Sequence, residues 1–245
     1  MITSRFVDHG DVRIHYVDSG GPDRGAPIVF VPGMTDIADD YGEVLPLFGR
    51  RTVVLDLRGH GRSSAPAAGY DLAALGSDVG AVVDAVTEGP VHVVTFSRGT
   101  SAGVAWALDH PDRVRSMSLG DYVPEEKVLT DTASRLLLDG HWRGSPVRER
   151  LNPDAAMAHF NAARAQSFWE LLARLQPPLL VVRARNSSII DDGDWARYRE
   201  LFPTARLHEF RDSPHDIFRP DRGRYPRLVR EHVDAVDGVT DADRV

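Results

Sequence analysis

In the stretch VVTFSRGTSAG, residues 93–103, a serine stands where an apolar run meets a run of small residues. Ser97 at such a junction is either a nucleophile or a hydroxyl that caps the helix after it. Small residues at Thr95, Gly99 and Gly103 let a strand turn sharply into a helix. The helix start then aims unpaired N–H groups and a positive dipole end at the serine. Such a turn exposes the serine oxygen and offers the Arg98 amide to a developing oxyanion. The local pattern does not separate the two uses.

Two further stretches bear on the choice. In FVPGMTD, residues 30–36, a strand ends in Pro32-Gly33, and the next amide, of Met34, is a candidate second oxyanion donor. In DSPHDIF, residues 212–218, His215 lies in a polar turn between the last strand and the closing helix, near the same edge of the sheet. Of the ten histidines it is the one whose position suits a general base, while His60, His141 and His159 read as surface or packing residues. A histidine that follows a strand-turn-helix serine in this chain order favours the nucleophile.

Composition narrows the chemistry. The chain has no cysteine, which excludes disulfides, thiolate metal sites and a cysteine nucleophile. Lys127 is the only lysine, so a Schiff-base or phosphate-loop lysine is not in question. The reading calls for no metal and no cofactor. The 36 acids exceed the 29 bases and no Lys/Arg block stands out, so neither nucleic acid nor an anionic membrane surface has an electrostatic footprint. The expected partner is a small-molecule substrate; oligomeric state is left open. The opening MITSRFVDHG lacks a long apolar run, and no stretch approaches the roughly eighteen apolar residues that span a bilayer, so a cytoplasmic protein is expected.

The elements that must position these residues follow from periodicity. Alternation around His9-Gly10-Asp11 predicts an antiparallel hairpin over residues 5–17. Apolar runs at 27–33, 52–61, 91–97, 114–122, 179–185 and 205–210 read as buried strands, and residues 72–86, 98–108 and 225–236 have helical spacing. At 245 residues with 42% apolar content this predicts one α/β domain with a mostly parallel, doubly wound sheet. Residues 123–166 read as a small helical cap inserted after the sixth strand, because structureless loops of that length are uncommon. Residues 237–245, small and acidic, are expected to fray.

With these residues in hand the chain resembles the α/β-hydrolases, as a serine esterase or lactonase-like member. The resemblance covers nearly the whole chain and rests on TFSRG, on LDLRGHGRS at 55–63 and on HPDRVRSMSL at 110–119. It implies that Ser97 is the nucleophile, His215 the base, and the Met34 and Arg98 amides the oxyanion hole. A serine in the elbow implies acyl transfer, whereas haloalkane dehalogenases and epoxide hydrolases carry aspartate there. The expected reaction is cleavage of a small carboxylic ester, lactone or thioester through an acyl-serine. The fold also hosts other activities. The alternatives are a cyclase, lyase or acyl transferase that uses His215 as base, and a non-catalytic binding module.

The sequence departs from the family pattern twice. The first elbow glycine is Thr95, a branched residue that fits if the strand packs loosely. The acid expected after the seventh strand is missing, because RARNSSIIDD at 183–192 places Ser187 or Ser188 there. Asp121, directly after the sixth strand, is the first choice to replace it. Asp191 or Asp192 is the second, although DDGDW also reads as a helix start, and a site without an acid is the third. The cap would roof the pocket with Trp142, Phe160 and Phe168 as substrate-binding residues, beside Leu136, Leu137, Leu138 and Met157; the same spacing also reads as packing. Asp36, Asp39 and Asp40 are expected to form a solvated face.

Overall fold

Strands β1 (Thr3–His9), β2 (Val12–Asp18), β3 (Ile28–Val31), β4 (Thr52–Leu55), β5 (Val91–Phe96), β6 (Val114–Gly120), β7 (Leu179–Ala184) and β8 (Arg206–Phe210) share one sheet in a computed structural model that describes residues 1–22 and 24–239. Their order is β1-β2-β4-β3-β5-β6-β7-β8. β2 runs antiparallel to both neighbours, and every pairing from β4 to β8 is parallel. This is the doubly wound sheet with an N-terminal hairpin that the apolar runs predict. β3, β4, β5 and β7 are buried over their whole length, as strands covered on both faces must be, and their sequences are mostly apolar, broken only by Thr52, His92, Thr95 and Arg183. β8 corrects the expectation of a buried strand: it lies at the sheet edge, and only Phe210 is buried.

Helix α1 (Leu72–Val86) starts at Asp71, whose carboxylate accepts from the Ala74 amide. It buries Leu72, Leu75, Val79, Val82, Val83 and Val86 in one core cluster with Val29, Val31, Val53 and Val93 of the sheet. α2 (Gly99–Asp109) packs beside it. The opposite face is covered by α8 (Arg224–Asp237), through Tyr225, Val229 and Val233 in a cluster with Phe30, Val94, Phe96 and Val182. The Tyr225 hydroxyl donates to the carbonyls of Thr95 (3.0 Å) and Ser118 (3.1 Å), which anchors α8 beneath the upper ends of β5 and β6.

Between β6 and β7 the chain forms α3 (Asp131–Leu138), α4 (Val147–Arg150), α5 (Pro153–Ala162) and α6 (Trp169–Leu175). A two-residue antiparallel pairing of Glu125–Glu126 with Gln166–Ser167 draws the start and end of this excursion together. Leu138, Val147, Leu151, Ala156 and Phe160 make a small cluster with Met34, while Trp169 and Leu172 join the main core. α7 (Asp192–Leu201) links β7 to β8. Among the described residues no helix is long and apolar enough to cross a membrane.

One expectation about the tail is corrected. Asp237 is not frayed: it ends α8, and its carboxylate accepts from Arg50 Nη1 (2.5 Å), Arg115 Nε (2.9 Å) and His92 Nε2 (3.1 Å). Three donors, two from β5 and β6 and one from the turn before β4, give the helix end a fixed place, which a composition argument does not register. Residues 240–245 of the same expectation lie outside the described residues. Burial works to raise the Asp237 carboxyl, but its bonds to Arg115, Arg50 and His92 outweigh that and hold it at about 2. Burial also pushes the His92 imidazole down to about 4 against the pull of Asp237, and His232 down to about 4 against a bond to the Pro178 carbonyl.

These shifts set an acid limb. The two histidines are neutral in the folded chain at pH 7, whereas unfolded histidine takes a proton near pH 6.5. The unfolded chain therefore binds more protons as pH falls from about 6.5 to 4, and stability drops by about 1.4 kcal/mol per pH unit per histidine. Asp237 adds a separate loss at lower pH, as it is protonated toward about 2. Denaturant titrations between pH 8 and 4 should show this slope, and His232→Gln should remove one histidine's share of it. An unchanged slope in that variant would contradict the assignment.

Candidate active site

The turn that carries Ser97 is built by contact between two backbones. Ser97 sits between β5 and α2 with φ of 51°, in the left-handed region that costs a residue with a side chain energy. Its amide donates to the Gly120 carbonyl (2.8 Å) and its carbonyl accepts from the Thr100 amide (2.9 Å). Glycine is required at two points. A Cβ on Gly99 would stand 2.1 Å from the Pro32 oxygen and 2.5 Å from the Val31 oxygen, and one on Gly33 would lie 3.1 Å from Ser97 Cβ. The serine turn therefore rests directly on the turn after β3.

Ser97 does not cap α2. The N-cap position is Arg98, without a side-chain cap bond, and the Ser97 hydroxyl is hydrogen-bonded to His215 Nε2 at 2.7 Å. His215 Nδ1 lies 2.7 Å from Asp121 Oδ2, and Asp121 Oδ1 accepts from the Ala184 amide at 2.9 Å. An ionised carboxylate only accepts, so Nδ1 carries the ring hydrogen and Nε2 accepts from the serine. Asp121 is fully buried, whereas the His215 side chain is 28% exposed. The Phe96 ring stacks on His215 with centroids 5.2 Å apart, backing the imidazole with an apolar surface. Three side chains that are remote in sequence thus form one hydrogen-bonded line.

The two other candidate acids do not join it. Asp191 caps α7 by accepting from the Asp194 amide, and Asp192 is an exposed partner of Arg183 and Arg185. Ser187 accepts from the Ile189 amide in the same loop. Among the described residues, neither the Met34 nor the Arg98 amide donates to a protein acceptor, so both are free for a ligand. Also among the described residues, no group of three His, Asp or Glu side chains is placed to hold a metal ion.

Residues 26–138 match the family model for the α/β hydrolase fold. The chain has the α/β-hydrolase fold, with the family match covering a little under half of its length. It is 27% identical to a non-heme chloroperoxidase of Streptomyces lividans, over 84% of this chain and 90% of that one. It is 28% identical to the 2-(acetamidomethylene)succinate hydrolase of Mesorhizobium japonicum, over 82% and 84% of the two chains. The crystal structure of a putative aryl esterase from Burkholderia cenocepacia superposes with a TM-score of 0.78 at 18% identity, covering 96% of this chain and all of the other.

Against the family pattern the chain departs at Thr95, and the structure corrects the reason for its tolerance. β5 does not pack loosely there, for Thr95 is fully buried. Its hydroxyl bonds to that of Thr100 at 2.8 Å, and its methyl fills the space of an absent side chain: a Cβ on Gly103 would lie 2.7 Å from Thr95 Cγ2. The branch has been moved from one element to the other.

The acidic triplet is likewise corrected. Only Asp39 keeps to the solvent, half-exposed beside Arg62. Asp40 pairs with Arg150, and Asp36 is buried, accepting from the Gly33 amide (3.0 Å) and from Trp142 Nε1 (2.8 Å). Burial lifts the Asp36 carboxyl above the usual range, against the lowering effects of Arg143 and of the Trp142 bond. His60 is a packing residue with a specific task, its Nε2 lying 2.7 Å from the Met34 carbonyl. The RGHG motif at 58–61 holds it close to that turn.

A cavity of about 240 Å³ opens on Ser97 and His215, bordered by Met34, Phe96, Leu136, Leu137, Trp142 and Val147. Of the three aromatic residues expected there, only Trp142 borders it. Phe160 is turned into the cluster of α3, α4 and α5, and Phe168, just before α6, is drawn into the main core. Their helical spacing served packing.

The exchange between Thr95 and Gly103 is testable by a double-mutant cycle. Gly103→Ala should cost on the order of 1–3 kcal/mol by overpacking. Thr95→Ser removes the obstructing methyl, so the double variant should recover most of that loss. A double variant no more stable than the sum of the singles would remove the explanation.

Proposed function

We propose that the chain hydrolyses a small carboxylic ester, lactone or thioester through an acyl-Ser97 intermediate. The observation that carries this reading is the line from Ser97 Oγ through His215 to buried Asp121, with both links at 2.7 Å. In this scheme His215 takes the Ser97 proton as Oγ attacks the carbonyl carbon, and the Met34 and Arg98 amides receive the negative oxygen. His215 returns the proton to the leaving group, then activates a water that releases the acid. Asp121 orients the ring and stabilises its charged form. The Ala184 amide holds the second oxygen of Asp121, so the carboxylate cannot turn away from Nδ1.

The cavity favours a short acyl group. At about 240 Å³ it is below the roughly 300–1,000 Å³ typical of drug-sized ligands, and its walls are mostly apolar. Names of relatives agree with hydrolysis in general, as 2-(acetamidomethylene)succinate hydrolase and aryl esterase. We take the substrate to be a free small molecule rather than a nucleic acid or a membrane lipid.

A fluorophosphonate probe should label Ser97, located by mass spectrometry, and labelling should vanish in Ser97→Ala and His215→Ala. Absence of any adduct on folded wild-type protein would overturn the reading. Asp121→Asn should lower kcat by about 10⁴-fold, by analogy with triads that lose their acid, while Asp192→Asn should leave it within about twofold. With p-nitrophenyl esters, kcat/KM should be highest for acetate to butyrate and fall for octanoate; a rise with chain length would refute the short-acyl assignment.

A further inference from the structure

Arg143 is held where a surface loop would not be expected to place a charge. It lies in the tight turn between the His141–Trp142 and Ser145–Pro146 pair, with φ of 48°, and its side chain is only 10% exposed. Its Nη2 donates to Asp216 Oδ1 at 3.1 Å and lies 3.4 Å from both Asp36 Oδ1 and the Tyr41 hydroxyl. The guanidinium also stands 4.7 Å from the Tyr41 ring centre and 5.1 Å from that of Phe218.

The two carboxylates it joins belong to the two turns that the chemistry needs in register. Asp36 accepts from the amide of Gly33, the residue before Met34. Asp216 follows His215 directly. Trp142, beside Arg143, donates to Asp36 and stacks on Phe96, which in turn stacks on His215. Asp216 also lies 3.6 Å from Arg219, an exposed side chain, but Arg143 is the cation that meets both carboxylates; without it the two buried groups would repel and draw in water or protons, and the turns they hold would separate. Exposed ion pairs carry little energy, but this one is sealed by aromatic rings.

We propose that Arg143 is a positioning residue that sets the distance between the Met34 turn and the His215 turn, and with it the fit of the site to the transition state. The proposal rests on the acyl-Ser97 reading. It distinguishes Arg143 from a mere anchor of the α3–α4 turn, whose loss would lower stability and leave turnover per folded molecule unchanged.

The test uses Arg143→Met and Arg143→Lys, with kcat and KM on p-nitrophenyl acetate, the rate of fluorophosphonate labelling of Ser97, and the thermal midpoint. Arg143→Met should lower kcat by about 100-fold, the cost of a misplacement near 1 Å, with KM changed less than about threefold and labelling slowed in proportion. Arg143→Lys keeps the charge but loses the planar guanidinium held against Tyr41 and Phe218, so it should fold with a midpoint close to wild type and still lose about tenfold in kcat. If Arg143→Met does not fold, the lysine variant decides. Folded variants that turn over and label at the wild-type rate would overturn the proposal while the acyl-Ser97 reading stands. A wild-type protein that is never labelled removes that reading and this inference with it.

Discussion

The contact between the Ser97 turn and the turn after β3 is the constraint on which the rest of the site depends. Gly99 abuts the Pro32 carbonyl and Gly33 abuts Ser97 Cβ, with no room for a side chain at either point. Because β3 and β5 are adjacent parallel strands in register from Ile28 to Val31, their upper ends arrive at the same level. Two amides that have no acceptor among the described residues, of Met34 and Arg98, are brought to this junction by backbone alone. The left-handed conformation of Ser97 is the local cost of the arrangement, and its amide bond to Gly120 and the Thr100 bond hold it there.

Electrostatics at this end of the sheet turns on buried carboxylates with different partners, Asp121 on one side and Asp36 with Asp216 on the other. Asp121 faces His215 and the Ala184 amide, and it too has a positive φ, of 46°, at the point where β6 ends. Asp36 faces Trp142, the Gly33 amide and Arg143. A buried carboxylate is retained only when its oxygens have donors, and each of these does. At the opposite end of the strands, Arg50 bridges Asp234 and Asp237 of α8, so the helix that supports β5 and β6 from below is itself tied by charge to the sheet.

The excursion between β6 and β7 walls the cavity with Leu136, Leu137, Trp142 and Val147, but reaches the catalytic turns through fewer residues. Trp142 and Arg143 reach the turns around Ser97 and His215, whereas Phe160, Leu151 and Ala156 serve the small cluster that gives α3 to α5 a common interior. A segment of this size cannot bury enough apolar surface alone, so part of its stability comes from Met34 beneath it and from the His60–Leu151 bridge. Its packing and the shape of the cavity are therefore one property.

The sequence by itself determined what local periodicity and chain order can carry. The hairpin, the six strand runs, of which all but the edge strand β8 are largely buried, α1 over residues 72–86, and the strand-turn-helix setting of Ser97 follow from alternation, apolar runs and turn residues. The association of Ser97 with His215 was legible from their order along a doubly wound chain. Tertiary structure alone decided which carboxylate meets the imidazole, since Asp121, Asp191 and Asp192 are alike in type and only strand register turns the first toward His215. It also decided that Phe160 and Phe168 pack inward, that Thr95 is accommodated by Gly103, and that Asp36 and Asp237 are held by donors distant in the chain. Period and propensity act over a few residues, whereas burial and pairing across a sheet depend on neighbours that the order of residues does not display.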